Sequence, residues 1–211
     1  MAFSFPRVYP ILDSSAIPRT GREQFLASLG HSLAEAGVTL LEYRNKTGSD
    51  AELISDAAIL RRSLPAAKLI LDDRANLVAQ VGFDGVHVDA GDISAAEARR
   101  ILGPDRIIGT FAGSDSLIPG ILTQPADYFA IGPVFATTTK QTEKHPIGIQ
   151  GVRKLREQAG AETVLSAAAG ITLETALQVI DAGATMVAVA AAIFGAADPA
   201  KEFRRWQERL L

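Results

Sequence analysis

The sequence contains no cysteine, and this absence excludes disulfide bridges, zinc–thiolate sites and iron–sulfur clusters. It also has no excess of basic residues: 21 Lys and Arg against 24 Asp and Glu give a net charge of -3, unlike the basic surface of a nucleic-acid-binding protein. The longest apolar runs reach about half of the ~20 residues that a membrane-spanning helix needs. The first residues lack the charged and then apolar pattern of a secretory signal. We therefore expect a soluble, cytoplasmic protein that binds neither nucleic acid nor a membrane.

A chain of 211 residues, of which 47% are apolar, is long enough to form one domain with a self-sufficient core. Short aliphatic or β-branched runs alternate with amphipathic stretches from end to end, and eight runs are predicted as strands: 8–12, 38–43, 67–71, 85–88, 106–110, 128–131, 163–167 and 186–190. Eight strand–helix units of ~25 residues predict an α/β fold, the (β/α)8 TIM barrel, as a single domain over residues 1–211. A doubly wound open sheet shows the same alternation. The count of eight and the absence of a glycine-rich dinucleotide-binding turn after the first strand favour the barrel.

Short capping patterns indicate where helices begin. Ser49 and Ser94 each precede a glutamate by three residues, as in a capping box, and Thr20 stands in the same relation to Glu23. These hydroxyl residues predict the starts of the first, second and fourth helices.

Charged residues end the second predicted strand, at Glu42, Arg44 and Lys46. With a side-chain period of two, these three share one face of the strand, while Leu41 and Tyr43 share the other. In a barrel of this kind the active site lies at the carboxyl ends of the strands. We therefore expect the charged face to point into the barrel mouth; a solvated strand end with a local ion pair is the alternative.

Aspartates follow the third and fourth predicted strands, at Asp72, Asp73, Asp89 and Asp92. Carboxylates on neighbouring loops, without cysteine and with few histidines, suit a hard cation such as Mg²⁺, which completes its shell with water and substrate phosphate. Helix capping and turn formation are the alternative roles of these aspartates. His87 lies inside an apolar strand, and we expect it to be a hydrogen-bonded core histidine rather than a catalyst.

Two further regions favour phosphate binding. The long polar connection after the sixth strand carries three hydroxyls and an ammonium that together could contact a phosphate, on Thr137, Thr138, Thr139 and Lys140. A threonine-rich surface loop would have the same composition. Small residues follow the seventh strand around Gly170, where barrels often bind phosphate through backbone N–H groups and a helix N-terminus. The same small residues would also allow tight packing of helix on sheet.

The order of these motifs resembles the thiamine-phosphate synthase family over most of the chain, from Tyr9 to about Pro199. The family's Gly-Pro-x-Phe-x-Thr-x-Thr-Lys motif is long and specific, and it is intact from Gly132 to Lys140. Its other motifs correspond to residues 42–46 (Gln-x-Arg-x-Lys in the family), 72–74 (Asn-Asp-Arg), 84–87 (Asp-Gly-x-His) with the following Asp92, and 188–193.

The resemblance implies a (β/α)8 transferase of thiamine biosynthesis, which joins hydroxymethylpyrimidine pyrophosphate to a thiazole phosphate and releases pyrophosphate. Its partners would be small phosphorylated substrates, and assembly into a homo-oligomer is left open. Its cofactor would be Mg²⁺, with Asp73 and Asp92 as metal ligands. The resemblance assigns catalytic binding of pyrophosphate to Arg44, Lys46 and Lys140, and substrate binding to Glu42, Asp72, Thr137, Thr139 and Gly170.

Five positions depart from the family pattern. Glu42 replaces a glutamine and Asp72 an asparagine, Phe111 and Ala191 each replace a serine, and Ala169 replaces the first glycine of a Gly-Gly pair. These changes add negative charge and remove polar contacts near the expected site. Three alternatives therefore stay open: a thiazole tautomerase-like isomerase, a Schiff-base aldolase that uses a lysine, and a non-catalytic phosphate-binding homologue.

Overall fold

The computed structural model of the chain describes residues 3–89, 91–137 and 145–211. Eight parallel strands in this part of the chain close into a barrel in sequence order, and the last strand pairs with the first. The predicted (β/α)8 barrel is therefore confirmed. The strands are β1 Val8–Asp13, β2 Leu40–Arg44, β3 Lys68–Asp72, β4 Gly85–Val88, β5 Ile107–Gly113, β6 Tyr128–Ile131, β7 Leu165–Ala168 and β8 Met186–Val189.

Helices follow the strands around the outside of the barrel, with one exception. The connection from β5 to β6 contains a short 3-10 helix, Ile121–Thr123, where the strand–helix alternation predicts an α-helix. The helices of the described residues are α1 Arg22–Glu35, α2 Asp50–Ser63, α3 Val78–Val81, α4 Ala95–Leu102, α5 Gly148–Ala159, α6 Leu173–Asp181, α7 Ala191–Phe194 and α8 Pro199–Leu210. None of them is long and apolar enough to cross a membrane.

Two of the three predicted helix caps are confirmed. The Ser49 hydroxyl accepts a hydrogen bond from the Glu52 N–H at 3.2 Å, and the Ser94 hydroxyl accepts one from the Glu97 N–H at 3.1 Å. The prediction at Thr20 is wrong, because Gly21 is the N-cap of α1 and no side chain caps the helix.

The strands separate two apolar clusters. The larger cluster lies between strands and helices, and it includes Leu41 and Tyr43. The smaller cluster fills the inside of the barrel and consists of Tyr9, Leu40, Ile70, Ile107, Tyr128 and Met186. Phe3 and Phe5 pack against this inner cluster, and because they directly precede β1 they cover the amino end of the barrel. The carboxyl end is left open for a site.

Candidate active site

A cavity of about 830 Å³ occupies the carboxyl end of the barrel, within the size range typical of small-molecule sites. Every strand contributes inward-facing residues to it. These are Tyr9 and Ile11, Glu42 and Arg44, Asp72, His87, Phe111, Tyr128 and Ala130, Ser166 and Ala168, and Ala188.

The end of β2 is oriented as its alternation predicts. Glu42 and Arg44 line the cavity, whereas Leu41 and Tyr43 are fully buried among the helices. Lys46 lies two residues beyond the end of the strand. Its ammonium reaches the Oδ2 atom of Asp73 at 2.5 Å, at the rim of the mouth.

The Arg44 guanidinium and the Lys46 ammonium are both paired with carboxylates. The Lys46 ammonium lies 3.0 Å from Asp72 Oδ2 as well as contacting Asp73. The Arg44 guanidinium lies 3.5 Å from Asp72 Oδ2 and 3.5 Å from Asp13 Oδ2. An anion that binds between Arg44 and Lys46 must therefore displace or compete with these carboxylates.

Asp72 and Glu42 bring two buried carboxyl groups into the cavity, with 5% and 3% of the residue exposed. Burial and the neighbouring Glu42 raise the pKa of Asp72 to about 7, although Lys46 acts in the opposite direction. The structure therefore places the two carboxylates that distinguish this chain from the family pattern inside the mouth.

Asp73 faces a separate groove that it shares with Asp92, next to α4. The two carboxyl groups are in contact: burial and Asp73 raise the pKa of Asp92 to about 6, whereas Asp92 and Lys46 outweigh burial and lower the pKa of Asp73. Asp92 also closes a turn by accepting a hydrogen bond from the Asp89 N–H at 2.9 Å. Asp92 thus closes a turn and is also paired with Asp73.

The Asp73–Asp92 pair has the features of a cation site. The Oδ1 atom of Asp73 is buried and receives no hydrogen bond from a donor in the described residues. Two touching carboxyl groups need a proton or a cation between them. No group of three or more His, Cys, Asp or Glu side chains that could hold a metal ion occurs in the described ranges.

A chain of hydrogen bonds crosses the cavity floor, and the sequence analysis missed it. The Tyr9 hydroxyl donates to Glu42 Oε2 at 2.7 Å and lies 2.9 Å from the Tyr128 hydroxyl. The Tyr128 hydroxyl lies 3.1 Å from His87 Nδ1, and His87 Nε2 lies 3.5 Å from Asp89 Oδ1. Nothing in the local sequence around either tyrosine signals this contact, because it joins four different strands.

His87 is a buried, hydrogen-bonded histidine, as expected, but it also lines the cavity. Burial alone would lower its pKa, yet the carboxylates of Asp89 and Glu42 outweigh burial and raise it. Ser166 is a second residue that the sequence analysis missed: its Oγ atom is buried at the cavity wall without a hydrogen-bond partner in the described part of the chain.

The turn after β7 forms the opposite wall of the cavity. Ala169 and Gly170 both adopt left-handed backbone conformations, with φ of +74° and +68°. Gly170 is also required by close approach, because a Cβ atom there would lie 2.5 Å from the Ala136 carbonyl oxygen. Gly170 and Thr172 line the cavity, and α6 begins at the next residue, Leu173. The arrangement is suited to an anion at a helix N-terminus.

The loop after β6 is held against this turn. The Val134 N–H donates to the Ala168 carbonyl at 2.9 Å, and the Phe135 N–H donates to the Ala169 carbonyl at 3.1 Å. Thr137, the first threonine of the predicted phosphate-contact set, lines the cavity. The other three members of that set, Thr138, Thr139 and Lys140, lie outside the described residues.

Comparisons of the sequence and the fold with known proteins identify one family. The family model described as thiamine monophosphate synthase matches residues 8–193. A thiamine-phosphate synthase of Koribacter versatilis is 42% identical over 190 residues, covering 88% of each chain, and one of Agrobacterium fabrum is 39% identical over 178 residues, covering 82% of this chain and 81% of the relative. The solved structure of a thiamine phosphate pyrophosphorylase from Pyrococcus furiosus is 27% identical, with a TM-score of 0.78 over 97% of this chain and 95% of that one.

Proposed function

The chain belongs to the thiamine monophosphate synthase family, and on that premise we propose that its barrel mouth joins hydroxymethylpyrimidine pyrophosphate to a thiazole phosphate and releases pyrophosphate. The protein is accordingly a transferase with small phosphorylated substrates. The observation that carries the proposal is the distribution of charge around one cavity. Arg44 lines one side, with Lys46 paired to Asp72 at the rim beside it, and the Gly170 turn with the start of α6 lies on the other side.

This distribution suits two anionic substrates that meet in one cavity. The turn around Gly170 would bind the thiazole phosphate through backbone N–H groups and the positive end of α6. The cations of Arg44, Lys46 and Lys140 would bind the pyrophosphate. The reacting carbon and nitrogen atoms would then lie between these two ends, above the floor of Tyr9 and Tyr128.

The reaction needs no covalent bond between the protein and its substrates. The bond between the pyrimidine methylene carbon and the pyrophosphate oxygen breaks, and its electron pair leaves with pyrophosphate. A bond then forms between that carbon and the thiazole nitrogen. The residues of the mouth stabilise the departing charge electrostatically, and no protein nucleophile is required.

Asp73 and Asp92 fit a magnesium ion, since their carboxyl groups touch and Asp73 Oδ1 is buried without a donor in the described ranges. When bound, the ion would supply additional positive charge to the leaving pyrophosphate. Lys46 contacts Asp73 and would therefore adjoin both the ion and the leaving group.

A direct assay of product formation tests the proposal. Purified protein supplied with both substrates and Mg²⁺ should form thiamine phosphate and pyrophosphate, and Lys140→Ala should lower turnover by about 10²-fold or more, as for loss of one preorganised charge. Absence of product from the wild-type protein would overturn the proposal. Full turnover of Lys140→Ala would show that this lysine is only a solvated loop residue.

The magnesium site has a separate test by titration calorimetry. Pyrophosphate should bind more tightly with Mg²⁺ present, with a coupling of about 1–3 kcal/mol. Asp73→Ala and Asp92→Ala should each remove that coupling and leave thiazole phosphate binding nearly unchanged. Equal affinity of the wild-type protein with and without Mg²⁺ would overturn the two-carboxylate site.

A further inference from the structure

We propose that Tyr43 and Asp56, on the outer side of the barrel, are positioning residues for pyrophosphate binding, because through Asn45 they hold Arg44 and Lys46 in the mouth. The inference rests on the proposed function, since it assumes that these two cations receive the pyrophosphate. It assigns a role in the reaction to side chains that do not line the cavity.

A buried carboxylate joins β2 to two helices. Asp56 of α2 is 2% exposed and accepts a short hydrogen bond from the Tyr43 hydroxyl. Arg22, the first residue of α1, lies with Nη2 2.5 Å from Asp56 Oδ2 and with Nε 2.9 Å from Asp56 Oδ1. Burial and Asp56 raise the pKa of Tyr43, so the hydroxyl stays protonated and remains the donor. The back of β2 is thus fixed at the residue just before Arg44.

Asn45 extends this network into the loop that follows the strand. Its Nδ2 atom donates to the Tyr43 hydroxyl at 3.2 Å and to Glu52 Oε1 at 3.0 Å. Its Oδ1 atom accepts from the Gly48 N–H at 2.7 Å. All the polar atoms of this buried side chain are engaged, which fixes the backbone on both sides of it.

Because side chains alternate along β2, hydrogen bonds that hold its outer residues also hold the residues of its inner face. Tyr43 and Asn45 point away from the cavity, and Arg44 between them points into it. Lys46 follows directly after Asn45. A shift of the Asn45 backbone would therefore move both cations.

Hydrogen bonds outside the cavity are important because pyrophosphate can replace the ion pairs that hold Arg44 and Lys46 inside it. Arg44 and Lys46 pair with Asp13, Asp72 and Asp73. Those carboxylates compete with an incoming pyrophosphate for the same cations. Once pyrophosphate replaces them, the outer hydrogen bonds are the contacts that still hold the two cations in register.

Gly48 shows how closely the loop is packed on the network. A Cβ atom at this position would lie 2.5 Å from Asn45 Nδ2 and 2.5 Å from Glu52 Oε1. Its carbonyl oxygen accepts a hydrogen bond from Arg74 Nη2 at 3.1 Å. The substitution Gly48→Ala would thus displace Asn45 without removing any polar group, which provides an independent perturbation.

The test compares Tyr43→Phe and Asp56→Asn with Asp84→Asn. Asp84 is a matched control, because it is another ion-paired carboxylate; it directly precedes β4 and contacts the amino end of β3, away from the mouth. Tyr43→Phe should weaken binding of inorganic pyrophosphate with Mg²⁺, and lower kcat/KM for the pyrimidine substrate, by roughly tenfold, since small displacements of a binding group cost up to about 10²-fold. The KM for thiazole phosphate should not change. Asp84→Asn should lower the melting temperature and leave all these constants unchanged.

A double-mutant cycle separates positioning from general loss of stability. In a Lys46→Ala background, Tyr43→Phe should cost about threefold in pyrophosphate affinity rather than tenfold, because only one of the two groups that it positions is left. The same tenfold loss in both backgrounds would overturn the proposal, as would equal losses from Asp84→Asn. If Asp56→Asn does not fold, Tyr43→Phe and Gly48→Ala carry the test.

Calorimetry keeps this test distinct from that of the proposed function. If the wild-type protein makes no thiamine phosphate, the proposed function fails, and the pyrophosphate affinities of the same variants still decide whether the network positions the cations. If the wild-type protein is active and Tyr43→Phe binds pyrophosphate normally, the positioning role alone is overturned.

Discussion

Ala169 occupies a backbone conformation that residues with a side chain rarely adopt, with φ of +74°. The left-handed region costs an L-residue about 1–2 kcal/mol, and glycine pays no such steric penalty there. Glycine also makes the unfolded chain more flexible, which offsets about half of the gain. The folded protein is therefore less stable with alanine at position 169, at the edge of the proposed phosphate site, than it would be with glycine there.

Ala169→Gly should raise the free energy of unfolding by about 0.5–1 kcal/mol. The neighbouring Ala168→Gly is the control, because Ala168 ends β7 and has no positive φ. That substitution should destabilise the protein by about 0.5–1 kcal/mol. Urea denaturation of the three proteins measures both changes, and equal destabilisation by both glycines would contradict the explanation.

Asp72 acts directly on the proposed pyrophosphate site, since it lies 3.0 Å from the Lys46 ammonium and 3.5 Å from Arg44. Asp72→Asn should raise the affinity for pyrophosphate about fivefold, the lower end of the roughly 1–4 kcal/mol that a charge at ~4 Å contributes. Glu42→Gln should have a smaller effect in the same direction, because the Glu42 carboxylate accepts its hydrogen bond from Tyr9. Calorimetry at constant Mg²⁺ measures both, and weaker binding in both variants would show that these carboxylates hold the cations in place.

At the scale of elements, local patterns predict a feature when the determining atoms lie close together in sequence. Ser49 and Ser94 are correctly predicted as caps because each is followed at the right spacing by the N–H that it accepts. The same spacing at Thr20 fails, since Gly21 takes the capping position in a left-handed conformation. The helix expected between β5 and β6 is also absent from that described connection, where Ile121–Thr123 forms a 3-10 turn instead.

Asp84 illustrates an element-scale interaction that depends on pH. Its carboxylate lies 2.8 Å from both Arg61 and Lys68 and accepts a hydrogen bond from the Leu69 N–H at 3.0 Å. Burial would raise the pKa of Asp84, but these partners outweigh burial and lower it below the usual 3.8. A carboxyl whose pKa is lower in the folded state stabilises the fold above its unfolded pKa, and that contribution is lost as the pH falls through the folded pKa.

Asp84→Asn should therefore destabilise the protein by about 1–3 kcal/mol at neutral pH, the usual cost of losing hydrogen bonds to a charged group. The difference between wild type and variant should shrink below about pH 4. Glu208→Gln, at an exposed position of α8, serves as the control and should show no such convergence. Denaturant titrations at several pH values measure the difference, and a gap that stays constant down to pH 3 would contradict the lowered pKa.

For the whole molecule, the barrel and the inward face of β2 follow from the sequence, whereas the contacts across the cavity do not. Period-two alternation is sufficient to direct Glu42 and Arg44 inward. The Tyr9–Tyr128 contact depends on barrel closure, because β1 and β6 are not neighbours in the sheet. The contact of Lys46 with Asp73 likewise depends on loop conformations beyond the ends of two strands.

Closure of the barrel also predicts how the whole chain unfolds. Trp206 is the single tryptophan of the sequence, it is 1% exposed, and it lies on α8, which packs against α1, α6 and β1. If residues 1–211 form one cooperative domain, tryptophan fluorescence and far-ultraviolet circular dichroism should report the same denaturation midpoint. Phe203→Leu, at a buried position of the same helix, should lower both midpoints together by the equivalent of about 1 kcal/mol. A fluorescence transition that precedes the loss of secondary structure, or that alone moves in Phe203→Leu, would show that α8 unfolds separately and that the chain is not a single cooperative unit.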